Sequence, residues 1–357
     1  PYCDFASEAT AREQVPHAGY ADAVLRELEA RAPSVEGRPL TSVVFGGGTP
    51  SLGDPRELAR VLAALRGVLE PEPSLEVTVE CNPTSLDRAR AAALREAGVD
   101  RLSIGVQSLD DGRLGSLGRL HDASLALRAL ADALAEVPRV SADLMFGMPG
   151  QSADDLEREL ERVLETGVRH VSAYALTIEP GTQFGALARK GKLLIATDDA
   201  YAECFARAEE VFARAGLDHY EVSNYARPGE EARHNLHYWR GGDYLALGAG
   251  AVGCVDGRRW RNEPRPERYL KAPGLEVEEE RLGPDERVRE ALMLGLRTRE
   301  GLDVAALEAR AGRPLARGRE RALERAIARG DLVLEDGRAF VPRGRWLRLD
   351  GIVADLF

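Results

Sequence analysis

The sequence predicts an α/β fold, built on an incomplete barrel or an open parallel sheet and followed by a smaller α+β module. First, a strand, a loop and a helix alternate five times within about 140 residues, and right-handed βαβ connections turn such a pattern into a parallel sheet. Second, five repeats are too few for a closed eight-stranded barrel. Third, C-terminal helical patterns are followed by two short strands, which resembles a winged helix.

The five predicted strands are short runs rich in β-branched and apolar residues, as expected of a parallel sheet covered on both faces. They lie at residues 41–45, 75–81, 101–108, 140–148 and 170–178. Helices are predicted between them, with Asp54, Thr84 and Ser152 as N-caps. Side chains of these types accept hydrogen bonds from the free N–H groups of a first helical turn.

Composition and charge limit the classes of function. The 357 residues are 44% hydrophobic and 30% charged, which is typical of globular proteins. No apolar run approaches the roughly 18 residues that a membrane-spanning helix needs. The net charge of −11 argues against broad, non-specific binding to nucleic acid or to anionic lipid.

The cysteines indicate the redox compartment. Cys3, Cys81, Cys204 and Cys254 are far apart and form no CxxC pair, so they predict no disulfide framework. A reducing, cytoplasmic location is therefore expected.

Three regions are predicted along the chain. Residues 1–217 form the barrel, residues 218–282 hold an aromatic and histidine-containing stretch, and residues 283–357 form the winged-helix-like domain. In the last region, a turn at Asp336 and Gly337 separates the two strands of the wing.

Polar or glycine residues follow the apolar part of every predicted strand. Three glycines and Thr49 follow the first strand, and Glu80, Gln107 and Asp143 lie in or near the ends of the next three. Arg119 comes shortly after Gln107 and provides a cation suited to a carboxylate. Since ligands bind at the carboxyl ends of such strands, these side chains predict one shared site.

Four motifs, taken together, resemble radical S-adenosylmethionine (SAM) enzymes of the coproporphyrinogen oxidase-like group. They are GGGTP, ECNP, SIGVQS with the following Arg119, and DLMFGMPGQ, and the resemblance extends over essentially the whole chain. It implies a partial (β/α)₆ TIM-like barrel, of which the first strand is missing here, with SAM across the strand ends. It further implies that Gly47, Gly48 and Thr49 line the methionyl amine of SAM.

The same resemblance implies roles for the remaining polar residues of the rim. Glu80 is expected at the methionyl or ribose region, Gln107 at the ribose, Arg119 at the carboxylate and Asp143 at the rest of the nucleoside.

The family also binds a [4Fe–4S] cluster through a CxxxCxxC motif. The residues PYC match the end of that motif, which makes Cys3 the expected third ligand. The first two ligands would precede residue 1, so we expect that the chain as written holds no normal cluster.

Two activities share this scaffold, and two features favour a heme chaperone of the HemW type. Oxygen-independent coproporphyrinogen III oxidases carry a fourth cysteine where this chain has Phe5. Residues 234–239, HNLHYW, match the HNxxYW signature of the chaperones, which implies heme binding through His234 and delivery of heme to client proteins. Imidazole is a ready ligand for heme iron, and Tyr238 and Trp239 offer flat apolar area. The alternative function is that of the oxidase. The alternative interpretation of the HNLHYW stretch is purely structural: a partly buried aromatic patch with hydrogen-bonded histidines.

A third class of function is nucleic-acid binding by the winged-helix-like domain. Residues 310–350 contain eleven arginines and six acidic residues, and such a local excess of positive charge is typical of nucleic-acid binders. The whole chain is acidic and arginine is its default cation, which argues against nucleic acid as a partner.

Overall fold

Seven strands form the main sheet in a computed structural model that describes residues 1–2, 15–193 and 196–357. Their order is β1-β2-β3-β4-β5-β7-β6. The first five pair in parallel, and β7 pairs antiparallel with β5. The strands are β1 Pro39–Phe45, β2 Glu70–Cys81, β3 Arg101–Gln107, β4 Arg139–Phe146, β5 His170–Ala175, β6 Asp218–Glu221 and β7 Asn224–Ala226. The predicted α/β fold with a partial barrel is confirmed.

Consecutive buried residues explain why these strands form a parallel sheet. In β2, Val77, Thr78 and Val79 are all buried, so both faces of the strand are covered. In β3, Leu102, Ile104 and Val106 are fully buried on one face. The buried apolar side chains place the core between the sheet and its helices.

Eight α-helices occur among the described residues before β6. They are α1 His17–Arg31, α2 Pro55–Val68, α3 Arg88–Glu96, α4 Asp111–Ser116, α5 Ala123–Glu136, α6 Ala153–Leu164, α7 Gln183–Arg189 and α8 Asp198–Arg214. Asp54 caps α2 and Ser152 caps α6, as predicted. The predicted cap at Thr84 is wrong: Thr84 lies in a short 3₁₀ helix, and the Asp87 side chain accepts from Arg90 N at the start of α3.

The amino ends of the strands are joined by buried charges. Glu76 is fully buried, and its Oε2 lies 2.7 Å from Arg139 Nη1 and 3.7 Å from Arg101 Nη1. Burial, followed by the nearby arginine charges, holds the pKa of His170 well below its ordinary value. These charges lie at the end of the sheet opposite the predicted ligand site.

The remaining elements lie C-terminal to β7. They are α9 Arg233–Trp239, β8 Val252–Val255, β9 Arg258–Asn262, α10 Pro266–Tyr269, β10 Glu276–Arg281, α11 Pro284–Gly295, β11 Leu302–Asp303, α12 Val304–Ala311, α13 Glu320–Ala328, β12 Val333–Glu335, β13 Arg338–Phe340 and α14 Leu349–Ala354. Strands β8 to β10 form an antiparallel sheet, and β11, β13 and β12 form another. The order α11-β11-α12-α13-β12-β13 is that of a winged helix, and the turn between its last strands contains Asp336 and Gly337, both with positive φ.

The chain divides into two compact units. The barrel unit comprises Pro1–Ala21, Pro39–His219 and Ser223–Glu231, and the C-terminal unit comprises Asp22–Arg38, Tyr220–Val222 and Ala232–Phe357. Within the described residues, no helix combines the length and the apolar character needed to cross a membrane.

Candidate functional site

The carboxyl ends of β1 to β4 bring the predicted rim residues to one edge of the barrel unit. Phe45 pairs with Val79, so the glycines that follow β1 lie beside Glu80 at the end of β2. Glu80 pairs with Ser103 of β3, and Gly105 pairs with Asp143 of β4. Parallel register therefore aligns these residues along the rim.

The glycine loop is built around the Glu80 carboxylate. Gly47 N donates to Glu80 Oε2 at 3.1 Å. A Cβ on Gly46 would lie 3.2 Å from the Glu80 carboxyl atoms, whereas a Cβ on Gly47 would meet nothing within 4 Å. Gly47 also has φ +119°, which favours glycine. The loop thus combines close packing against Glu80 with open space in front of Gly47.

The two rim carboxylates have raised pKa values. For Glu80, loss of solvation raises the pKa and the hydrogen bond from Gly47 opposes this shift. For Asp143, burial raises the pKa to about 6, while hydrogen bonds from Ser172 and Ser103 lower it. Ser103 Oγ lies 3.0 Å from both oxygens of Asp143. The Asp143 carboxylate therefore already accepts hydrogen bonds from donors within the sheet, in addition to any from a ligand.

Gln107 adopts a left-handed conformation at the end of β3, with φ +66°. The register between β3 and β4 shifts between Gly105 and Gln107. A Cβ on Gly105 would lie 2.7 Å from Gln107 Nε2, so the end of the glutamine side chain packs directly on this glycine. Strained backbone at a non-glycine residue concentrates at binding sites, and the glycine inside the strand was the sequence signal for this close approach.

Arg119 lies against the start of the chain. Its Nη2 donates to the hydroxyl of Tyr2, and its guanidinium carbon lies 5.6 Å from the centre of the Tyr2 ring. Sequence analysis did not single out Tyr2, although its position directly before Cys3 placed it near the predicted site. Cys3 itself lies outside the described residues, as does Phe5.

The three remaining cysteines are free, buried thiols. Burial raises the pKa of Cys81 to about 12, so it stays a neutral thiol. Within residues 1–2, 15–193 and 196–357, no three or more His, Cys, Asp or Glu side chains are arranged to hold a metal ion.

Helix α9 in the C-terminal unit contains the predicted heme motif. The His234 ring meets the Tyr238 ring edge to face at 4.6 Å, and Tyr238 meets Tyr244 in the same way at 4.6 Å. All three rings are half-buried. Burial raises the pKa of Tyr238 to about 12, so its phenol is neutral at physiological pH.

The second histidine of the motif has a structural contact. His237 Nε2 lies 2.6 Å from the Asp243 carbonyl oxygen, so this nitrogen carries a proton and donates it. A Cβ on Gly242 would lie 2.3 Å from the His237 ring, so the ring packs directly on that glycine. Sequence analysis missed Gly242 and Tyr244; the only signal was the glycine pair at 241–242.

Comparison with known proteins agrees with this architecture. The protein-family model of the radical SAM superfamily matches residues 1–163, and that of the HemN C-terminal domain matches residues 282–347. The structure of coproporphyrinogen III oxidase (HemN) from Escherichia coli superposes with a TM-score of 0.81 at 19% identity, covering 100% of this chain and 87% of that one. This likeness establishes the fold.

The curated relatives identify the family more narrowly. The heme chaperone HemW of Mycobacterium tuberculosis is 38% identical over 99% of this chain and 90% of its own length. The heme chaperone HemW of Escherichia coli is 38% identical over 77% of this chain and 73% of its own length. At this identity and coverage, the chain belongs to the HemW heme chaperone family of the radical SAM superfamily.

Proposed function

We propose that this protein binds heme through His234 and delivers it to heme-accepting client proteins. The observation that carries the proposal is the arrangement of α9. The His234 ring packs edge to face against Tyr238, whereas His237 donates a hydrogen bond to the Asp243 carbonyl oxygen. The relatives from Mycobacterium tuberculosis and Escherichia coli are heme chaperones, which supports the same conclusion.

The surroundings of His234 suit a heme-iron ligand. Iron binds neutral imidazole, and the edge-to-face contact with Tyr238 restricts the orientation of the ring. Tyr238 and Tyr244 are half-buried aromatic side chains that provide flat apolar area for a macrocycle. His237 is the weaker candidate because its Nε2 proton is already donated to a backbone carbonyl.

The barrel rim is the proposed site for SAM. The open space in front of Gly47 fits a group that approaches the backbone closely, and Gly48 and Thr49 continue the same loop. Glu80 and Asp143 provide acceptors for the amine and hydroxyl groups of the cofactor, Gln107 is assigned to the ribose and Arg119 to the carboxylate. Cys3 is the proposed ligand for a [4Fe–4S] cluster, which supplies one-electron chemistry when bound.

The cytoplasm is the proposed compartment. Cys81, Cys204 and Cys254 are free thiols, which persist in a reducing environment.

Titration with hemin tests the main proposal. We expect a Soret band shift with wild-type protein, its loss in His234→Ala, and its retention in His237→Asn, which keeps an N–H near Asp243. Transfer to a heme-free acceptor protein should follow the same pattern. An unchanged Soret shift in His234→Ala contradicts the ligand assignment. Conversion of coproporphyrinogen III to protoporphyrinogen IX by a form of the protein that carries the full CxxxCxxC motif and a reconstituted cluster would establish the oxidase instead.

A further inference from the structure

We propose that Tyr2 positions Arg119 for the carboxylate of SAM and thereby sets the affinity for the amino-acid end of the cofactor. This inference rests on the proposed SAM site and extends it to a residue that is not part of the rim motifs. Tyr2 acts through Arg119, so it is a positioning residue.

Arg119 has no counter-ion within the part of the chain that the structure describes. Among the described residues it makes no ion pair, whereas the nearby Arg113 pairs with Asp155 and Glu159 at 2.8 and 2.9 Å. Arg119 is half-buried, and its Nε is buried without a hydrogen-bond partner among the described residues. A partly desolvated guanidinium without a carboxylate is costly, so this site fits an anionic ligand.

The phenol of Tyr2 restrains the Arg119 guanidinium. Arg119 Nη2 donates to the Tyr2 hydroxyl, and the cation lies over the ring with 5.6 Å between the guanidinium carbon and the ring centre. Together they restrict the side-chain rotation that an arginine would otherwise lose on binding a carboxylate.

Tyr2 is itself held in place by residues of the barrel unit. Phe184 N donates to the Pro1 carbonyl at 2.9 Å, and the Tyr2 and Phe184 rings lie 6.4 Å apart. Tyr2 also packs on a buried cluster formed by Leu117, Met145, Met148 and Phe184. A fixed phenol can orient Arg119, and a loosely held one could not.

The experiment compares two ligands that differ at the amino-acid end. S-adenosylhomocysteine carries the carboxylate and the amine, whereas 5′-methylthioadenosine has the nucleoside and sulfur without them. Affinities of both are measured by calorimetry for wild type, Tyr2→Phe, Arg119→Lys and the double variant. We expect Tyr2→Phe to weaken binding of S-adenosylhomocysteine about tenfold, as the loss of one charge-assisted hydrogen bond does, and to leave 5′-methylthioadenosine unchanged.

The outcomes separate this inference from the proposed site. If Arg119→Lys keeps the full preference for S-adenosylhomocysteine, the carboxylate role of Arg119 is wrong and the positioning role is wrong with it. If Arg119→Lys abolishes the preference but Tyr2→Phe weakens both ligands equally, or neither, only the role of Tyr2 is overturned. In the double variant, Tyr2→Phe should add nothing to the effect of Arg119→Lys.

Discussion

Replacing Glu27 with glutamine is expected to lower the free energy of unfolding of the C-terminal unit by about 3–5 kcal/mol. Glu27 lies in α1 and is fully buried. Its carboxylate accepts four hydrogen bonds, all from residues of the same unit. The donors are Arg31 Nε at 2.8 Å, Asn262 Nδ2 at 2.7 Å, Tyr269 Oη at 2.7 Å and Gly248 N at 2.9 Å.

The magnitude follows from these contacts. Oε1 serves Arg31 and Asn262, while Oε2 serves Tyr269 and Gly248. A glutamine keeps one oxygen and turns an NH₂ group toward the other two donors, so two hydrogen bonds are lost. Hydrogen bonds to charged groups contribute about 1.5–3 kcal/mol each, so the loss of two costs about 3–6 kcal/mol, which overlaps the roughly 3–5 kcal/mol expected when a buried ion pair loses one partner. The Arg31 cation also loses its buried partner, although Glu276 remains 2.9 Å from its Nη1.

Tryptophan fluorescence during urea unfolding measures this effect selectively. Trp239, Trp260 and Trp346 are the only tryptophans of the chain and all belong to the C-terminal unit. With a slope of about 2 kcal/mol per molar urea, the midpoint should fall by about 2 M. Glu29→Gln is the matched control, because Glu29 is exposed on the same helix and should shift the midpoint very little. Equal midpoints for the two variants would refute the reasoning.

Two further predictions concern the rim and the heme motif. The raised pKa of Asp143, about 6, means that the folded state binds this proton more tightly than the unfolded state between pH 4 and 6. The unfolding free energy should therefore decrease as pH rises through that window, and Asp143→Asn should remove this component, at most about 3 kcal/mol, in urea unfolding followed by circular dichroism. In the C-terminal unit, Gly242→Ala should weaken heme binding several-fold and destabilise the unit by about 1–3 kcal/mol, since the new Cβ would overlap the His237 ring.

The Asp143→Asn and Gly242→Ala predictions each have a control variant in the same protein. Asp199 is exposed, so Asp199→Asn should leave the slope between pH 4 and 6 as in wild type. Gly344→Ala adds a Cβ with nothing within 4 Å and should keep wild-type hemin affinity and stability. A wild-type slope in Asp143→Asn, or wild-type hemin affinity in Gly242→Ala, would contradict the respective assignment.

The strands were predictable because their signal is local. Short apolar, β-branched runs ending in glycine or proline gave the five parallel strands, and the structure differs mainly at their ends. β2 begins at Glu70, ahead of the predicted start, and β5 ends at Ala175, before the predicted end. The helix start at Asp87 was missed because Thr84 and Asp87 are both good caps, and only the backbone path selects between them.

The individual rim residues were predictable from their position after strands, but their contacts were not. Gly47 with Glu80 and Ser103 with Asp143 join different strands, so each contact depends on the register of the sheet. Gly105 inside the strand signalled a close approach, but the left-handed backbone of Gln107 and its packing on that glycine are set by the tertiary structure.

By itself, the sequence determined the repeating strand–helix pattern, the glycine loop, the order of the rim residues and the HNxxYW stretch, because these depend on neighbours along the chain. The tertiary structure decided which buried polar groups meet. Glu27 looks like a surface residue paired with Arg31 one helical turn away, yet it is fully buried against Asn262 and Tyr269. Partner choice across such sequence separations is set by packing, since a buried charge is stable only where the fold brings donors to it.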